Sequence, residues 1–273
     1  MIRRAFFAFA LALAALSAGP ALAGSECLTP TEIAAPEATA GAFPLVAAAL
    51  AAGRLDVLAI GSGTVMGARG RPEGSFADRM VQDLREAVPG AEIRLVVQGE
   101  RGMAAAAMLA ALRRDLPGKT FRLVVWQTGT VEAVRKTPPT QFAETLDDGA
   151  ALVRAAGADL LLVDPQYSRL LQAHATLPPY QEAMRQAAAR NHAVLFHRFD
   201  LIQHWVDSGA LDLESVARAD RTKAVAQLNA CLGQAMAEAV LRAAQGEGLR
   251  PSTPPRAERP LDPTLWRGVE RGG

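Results

Sequence analysis

The chain has 273 residues, of which 50% are hydrophobic, 21% charged and 5% aromatic, with a formal net charge of +1. That length and apolar content support one sizeable core in one domain. A balance so near neutrality argues against nucleic acid and anionic membranes as partners.

The first 23 residues read as a signal peptide rather than as part of the fold. Arg3 and Arg4 form a positive n-region, residues 5–16 an apolar h-region, and Ala21-Leu22-Ala23 a small-residue cleavage site. Gly19-Pro20 interrupts the apolar run, which is short for a transmembrane helix; an uncleaved anchor is the alternative. Without Arg3 and Arg4, 27 basic side chains stand against 28 acidic ones. The expected location is periplasmic or secreted, with no transmembrane segment in the mature chain. In such an oxidising compartment Cys27 and Cys231 invite a disulfide. Two buried, unpaired thiols are the alternative.

Residues 24–52 form a lead-in with Pro30, Pro36 and Pro44, in which 45–51 gives a short helix. The main domain is expected over 53–244. Its first strand, 55–60, ends in Gly61-Ser62-Gly63, and a glycine-rich loop then runs to Ser75, the N-cap of a helix reaching Val88. Phe76, Met80 and Leu84 share one face of that helix. A second strand at 93–97 precedes an alanine-rich helix over 103–116, ended by Pro117-Gly118. The third strand, 121–127, leads into a loop containing Pro138-Pro139 and then a helix over 140–156. Strand four, 160–163, stops at Asp164-Pro165; a long loop with Tyr167 precedes a helix over 180–190. Strand five is 193–196, a mixed segment in which Trp205 packs follows, and a last helix spans 222–244. Residues 245–273, rich in Pro, Gly and charge, read as a flexible tail.

Five strands alternate with helices, and their apolar runs are continuous, so both sheet faces are covered. The fold class is α/β: a three-layer α/β/α sandwich on a five-stranded parallel sheet with right-handed crossovers. Ligands gather beyond the carboxyl ends of such strands. The relevant segments are 61–67, 98–102, 127–131 and 219–223.

Those segments carry a resemblance. Gly61-Ser62-Gly63-Thr64-Val65-Met66-Gly67, Gly102, Gly129-Thr130-Val131 and Asp220-Arg221-Thr222-Lys223 follow the order and spacing of the four blocks of the SGNH (GDSL-type) hydrolases. Val125-Trp126-Gln127-Thr128-Gly129, Val163-Asp164-Pro165-Gln166-Tyr167, His197-Arg198-Phe199, His204-Trp205 and Cys231 resemble one bacterial branch of that family. The resemblance spans 55–244. It implies a flavodoxin-like sandwich and an exported esterase or acyl hydrolase, with a serine nucleophile in the first block, oxyanion donors from the second and third, and an Asp–His pair in the last.

This chain departs from the pattern at the side chains that do the chemistry. Acyl transfer needs a nucleophile, a base within reach and donors for the oxyanion. Gly63 occupies the nucleophile position, Val131 the oxyanion asparagine position and Lys223 the base position. An ordinary lysine, with a pKa of about 10, is protonated at neutral pH. Gly102 and Asp220 match, and the backbone N–H groups of Gly63 and Gly102 would form half an oxyanion hole. The expectation is a catalytically inactive homologue; the alternative is an active esterase using Ser62, with Lys223 as base. The hydroxyls of Ser62 and Thr64 are expected to bond the backbone of their own turn.

Trp126, Gln127, Gln166 and Tyr167 are expected to line a pocket wall that, with Ser62, Gly63 and Gly102, takes an acylated or carbohydrate-like ligand. An envelope protein partner is the other expected role. Glu100 and Glu132 read as solvated loop charges, and an Asp220–Lys223 ion pair is expected to fill the space of the Asp–His pair. No cofactor is implied. His174, His192, His197 and His204 lack metal-ligand spacing, so no metal site is expected.

Overall fold

The computed structural model describes residues 43–67, 70–71, 73–211 and 213–245. The expected signal peptide, Cys27 and the tail beyond residue 245 lie outside the described residues.

A parallel sheet forms the middle layer. Its strands are β1 (Arg54–Gly61), β2 (Glu92–Gly99), β3 (Leu123–Gln127), β4 (Asp159–Val163) and β5 (Val194–Phe196), in the order β2-β1-β3-β4-β5. This is the flavodoxin-like order, with the topological switch between β1 and β3. The central strands are buried along nearly their whole length, which is why their sequences are continuous apolar runs. β2 forms one edge of the sheet and alternates, with Val96 42% exposed.

Nine helices are present among the described residues: α1 (Pro44–Ala51), α2 (Phe76–Ala87), α3 (Ala105–Asp115), α4 (Thr130–Arg135), α5 (Pro139–Ala155), α6 (Arg169–His174), α7 (Pro178–Asn191), α8 (Arg198–Asp207) and α9 (Arg221–Gln245). Ser75 caps α2 as its sequence predicts. Its Oγ accepts from the Asp78 N–H at 3.2 Å, and Asp78 returns the favour by accepting from the Gly74 N–H at 2.8 Å. Phe76, Met80 and Leu84 are all buried on its inner face.

α1 belongs to the core. Phe43 and Val46 are buried, and the Phe43 N–H donates to Ala243 of α9 at 2.8 Å. The helix has no side-chain cap of its own. Asp159, at the start of β4, accepts from the Leu45 and Val46 N–H groups at 2.9 Å each. Burial pushes the Asp159 carboxyl up to about 6, against the opposing pull of those two donors.

Three stretches differ from the sequence expectation. The loop after β3 contains α4, the long loop after β4 contains α6, and the mixed segment after β5 contains α8. α4 and α6 are six residues each, too short for apolar periodicity to reveal them; Glu132 of α4 accepts from the Gly129 N–H at its start, and Ser168 caps α6 by accepting from the Leu171 N–H.

Candidate functional site

The carboxyl ends of β1 and β2 approach one another at two glycines. Gly61 pairs with Gly99, and a Cβ on Gly99 would collide with the Gly61 carbonyl. A Cβ on Gly61 would fall 2.7 Å from Gln127 Oε1 on the other side. After Gly61 the chain turns over Ser62-Gly63-Thr64, with the Val65 N–H donating to the Ser62 carbonyl at 3.1 Å.

Gln127, at the end of β3, holds that turn. Its side chain is 1% exposed, and Oε1 accepts from the Ser62 N–H at 3.2 Å and from the Thr64 hydroxyl at 3.1 Å. Ser62 Oγ lies 3.4 Å from Gln127 Nε2 and 3.5 Å from Oε1. The two hydroxyls thus bond the Gln127 amide rather than their own backbone. Gln127 itself is inside the molecule and is a strut of the site, not an open wall. Trp126 is also not a wall: it is fully buried, donates from Nε1 to Met108 Sδ at 3.1 Å, and packs its ring where Gly149 leaves space.

Gly63 is half-buried and faces the next turn. A Cβ built on it would meet Arg101 Cα at 3.5 Å and Arg101 Cβ at 3.6 Å, ordinary contact distances. The position therefore has room for a side chain and no steric need for glycine. Gly102 follows with φ +78°, a conformation that favours glycine, and its carbonyl accepts from Arg135 Nη2 of α4 at 2.9 Å. Among the described residues, neither the Gly63 nor the Gly102 N–H donates to a protein acceptor.

Val131 sits in the first turn of α4, half-buried. The neighbouring carboxylate of Glu132 is the surprise here. It is 2% exposed, accepts from the Ala105 N–H at 2.5 Å and the Gly129 N–H at 2.9 Å, and is 3.3 Å from the Thr128 hydroxyl. It is not a solvated loop charge. It joins the first turn of α3 to the end of β3. The signal available in the sequence was its place three residues after Gly129, where a carboxylate can reach back to the start of a helix. Glu100 is exposed, as expected.

Beneath the first turn lies a buried pair that sequence reasoning did not single out for a role. Arg198, 1% exposed, donates from Nε to the Asp164 carbonyl at 3.1 Å and from Nη1 to Thr64 Oγ1 at 3.4 Å, and its guanidinium lies 5.8 Å from the Phe76 ring centroid. The Asp164 carboxylate accepts from the Phe199 N–H at 2.8 Å. Burial pushes the Asp164 carboxyl up to about 8, with the Phe199 donor and the Arg198 charge opposing, and lowers Arg198 to about 10. Arg198 thus ties the ends of β1, β4 and β5 together.

Asp220 and Lys223 do not join this constellation. Both are exposed, at the start of α9, and among the described residues neither takes part in an ion pair or side-chain hydrogen bond. The expected Asp220–Lys223 pair is absent because solvent offers both charges an equal alternative at no ordering cost. Gln166 and Tyr167 lie beyond Asp164, with Tyr167 edge-on to Phe199 at 5.2 Å between centroids. They line a cavity on the α8 and α9 side rather than the Gly63 turn. Cys231 is fully buried in α9, and its expected partner Cys27 is outside the described residues. Among the described residues no three His, Cys, Asp or Glu side chains cluster as metal ligands, and no helix is long and apolar enough to cross a membrane.

The same architecture occurs in solved esterases. A two-domain esterase active on acetylated mannans superposes with a TM-score of 0.57 at 17% identity, covering 81% of this chain and 58% of that one. A catalytic mutant of an acetylxylan esterase from Geobacillus stearothermophilus gives 0.54 at 18% identity, over 68% and 94% of the two chains. A G-D-S-L-family protein from Desulfitobacterium hafniense DCB-2 gives 0.54 at 15% identity, over 67% and 98%. Identities this low establish a shared fold, that of the SGNH hydrolases. Comparison with curated proteins gives no match. A family model matches residues 26–246, and on that match the chain belongs to the non-GDSL lipase-like family.

Proposed function

We propose that this protein is an exported, catalytically inactive homologue of the SGNH esterases, acting by binding an acylated or carbohydrate-like ligand, or an envelope partner. One observation carries this reading. The hydroxyls of the first turn, Ser62 and Thr64, are bonded to a neutral amide and, at Thr64, to a guanidinium that donates to it. Neither partner can take up a proton, so neither hydroxyl is activated for attack. Gly63, Val131 and Lys223 stand where the family's nucleophile, oxyanion donor and base would be, and Lys223 is in solvent.

The free N–H groups of Gly63 and Gly102 favour retention of an oxygen-binding cradle at the same edge. Fold neighbours acting on acetylated polysaccharides make an acylated sugar a reasonable ligand class for that cradle. The N-terminal sequence supports export, and export supports a Cys27–Cys231 disulfide, which non-reducing peptide mapping of secreted protein would detect. Treatment with a fluorophosphonate probe followed by intact-mass analysis tests inactivity: no adduct is expected, and a stoichiometric adduct on Ser62 would replace this reading with that of a working esterase.

A further inference from the structure

Away from the Gly63 turn, between α8, the start of α9 and the segment after β4, lies a cavity of about 310 Å³. It shares Gln166 and Tyr167 with the wall expected from the sequence but includes none of Gly63, Gly102 or Val131. Its interior is aliphatic: Ile202 and Val206 of α8, Leu211 and Leu213 beyond it, and Val225 and Leu228 of α9. Leu170 of α6, 66% exposed, also lines it, so the apolar surface continues to the mouth.

The charged side chains lining the cavity, among the described residues, are Arg169, Glu214 and Arg221. Arg169 Nε is 2.9 Å from the Glu214 carboxylate, which also accepts from the Ser168 hydroxyl at 2.6 Å and the Leu170 N–H at 3.3 Å. Those donors hold the Glu214 carboxyl below its ordinary range and spend its charge within the wall. Arg221 has no ion-pair or hydrogen-bond partner among the described residues. Among the described residues the cavity is thus an apolar slot with one positive charge on its lining, Arg221, that has no ion-pair partner.

We infer that this cavity binds an amphiphile with an aliphatic tail and a carboxylate head, a medium-chain fatty acid, with the tail among the α8 and α9 side chains and the head on Arg221. At about 30 Å³ for a water-sized group, the space holds on the order of ten methylene-sized groups. The neutralised Arg169–Glu214 pair leaves an anionic head unopposed, and a carboxylate takes the two parallel donors of a guanidinium. The site stands whether or not the Gly63 edge binds or hydrolyses anything.

Titration of the purified protein with decanoate, read by thermal shift and calorimetry, tests the inference. Saturable one-to-one binding that raises Tm is expected. Arg221 is exposed, so Arg221→Gln leaves the fold intact; it is expected to weaken decanoate at least tenfold and to leave binding of the uncharged analogue decanol unchanged. Val225→Trp fills the slot and is expected to remove both ligands. Gly63→Val crowds the other edge and is expected to change neither. Absence of saturable decanoate binding, equal binding by Arg221→Gln, or loss of binding in Gly63→Val alone would each overturn the proposal; the last would move the ligand to the Gly63 edge.

Discussion

The Gln127 amide oxygen accepts the Ser62 N–H at 3.2 Å, so the end of β3 supports the turn that closes β1. The same oxygen accepts from Thr64, and Gly61 lacks a Cβ because Gln127 occupies that space. Replacing Gln127 with Leu keeps the volume and removes the acceptor, leaving a half-buried Ser62 N–H without a protein partner. The expected loss is about 1–3 kcal/mol in urea denaturation. Gly61→Ala is expected to destabilise as well, by steric collision instead of lost bonding.

Glu132→Ala should cost more, about 2–4 kcal/mol, because it strands the Ala105 and Gly129 N–H groups together. Hydrogen exchange should show the first turn of α3 and the end of β3 opening in concert, since one carboxylate holds both.

Asp164 gives the fold a distinctive pH dependence. Its carboxyl is raised in the folded protein to about 8, from about 3.9 in an unfolded chain. The folded state therefore binds the proton more tightly. The resulting stability is fully present below about pH 4 and is lost as pH rises towards 8. Asp159, raised to about 6, adds the same sign over the narrower window between about pH 4 and 6. Asp164→Asn keeps an acceptor for the Phe199 N–H and removes the titration. Chemical denaturation between pH 5 and 8 should show wild type losing stability relative to this variant as pH rises.

Gly63→Ser asks whether the nucleophile alone is missing. The nearest atom to an added Cβ is 3.5 Å away, so the variant is expected to fold with a stability change within about 0.5 kcal/mol. It is also expected to give no ester turnover, because no imidazole stands at position 223 and Val131 supplies no side-chain donor. Crystallography or NMR of the variant, alongside an esterase assay, would check both halves.

The sheet was legible in the sequence because buried parallel strands are written as continuous apolar runs, and 160–163 or 193–196 could hardly be anything else. Ser75 was legible because a cap and its reciprocal acid lie three residues apart. What escaped was long-range polar bonding. Glu132 looks like any loop glutamate until Ala105 is brought beside it, and Arg198 looks like a surface arginine until Thr64 and Asp164 close around it. Trp126 misled for the converse reason: its residue type suits a ligand wall, but Gly149 on α5 opens the space that buries it. The Arg221 cavity was invisible because it needs α8, α9 and the Glu214 tie at once.

The central claim is that ester hydrolysis has no machinery at this sheet edge. Assay of the purified protein against short acyl esters, with Ser62→Ala in parallel, tests it most directly. No turnover above the uncatalysed rate is expected from either protein. Turnover by wild type that disappears in Ser62→Ala would contradict the account.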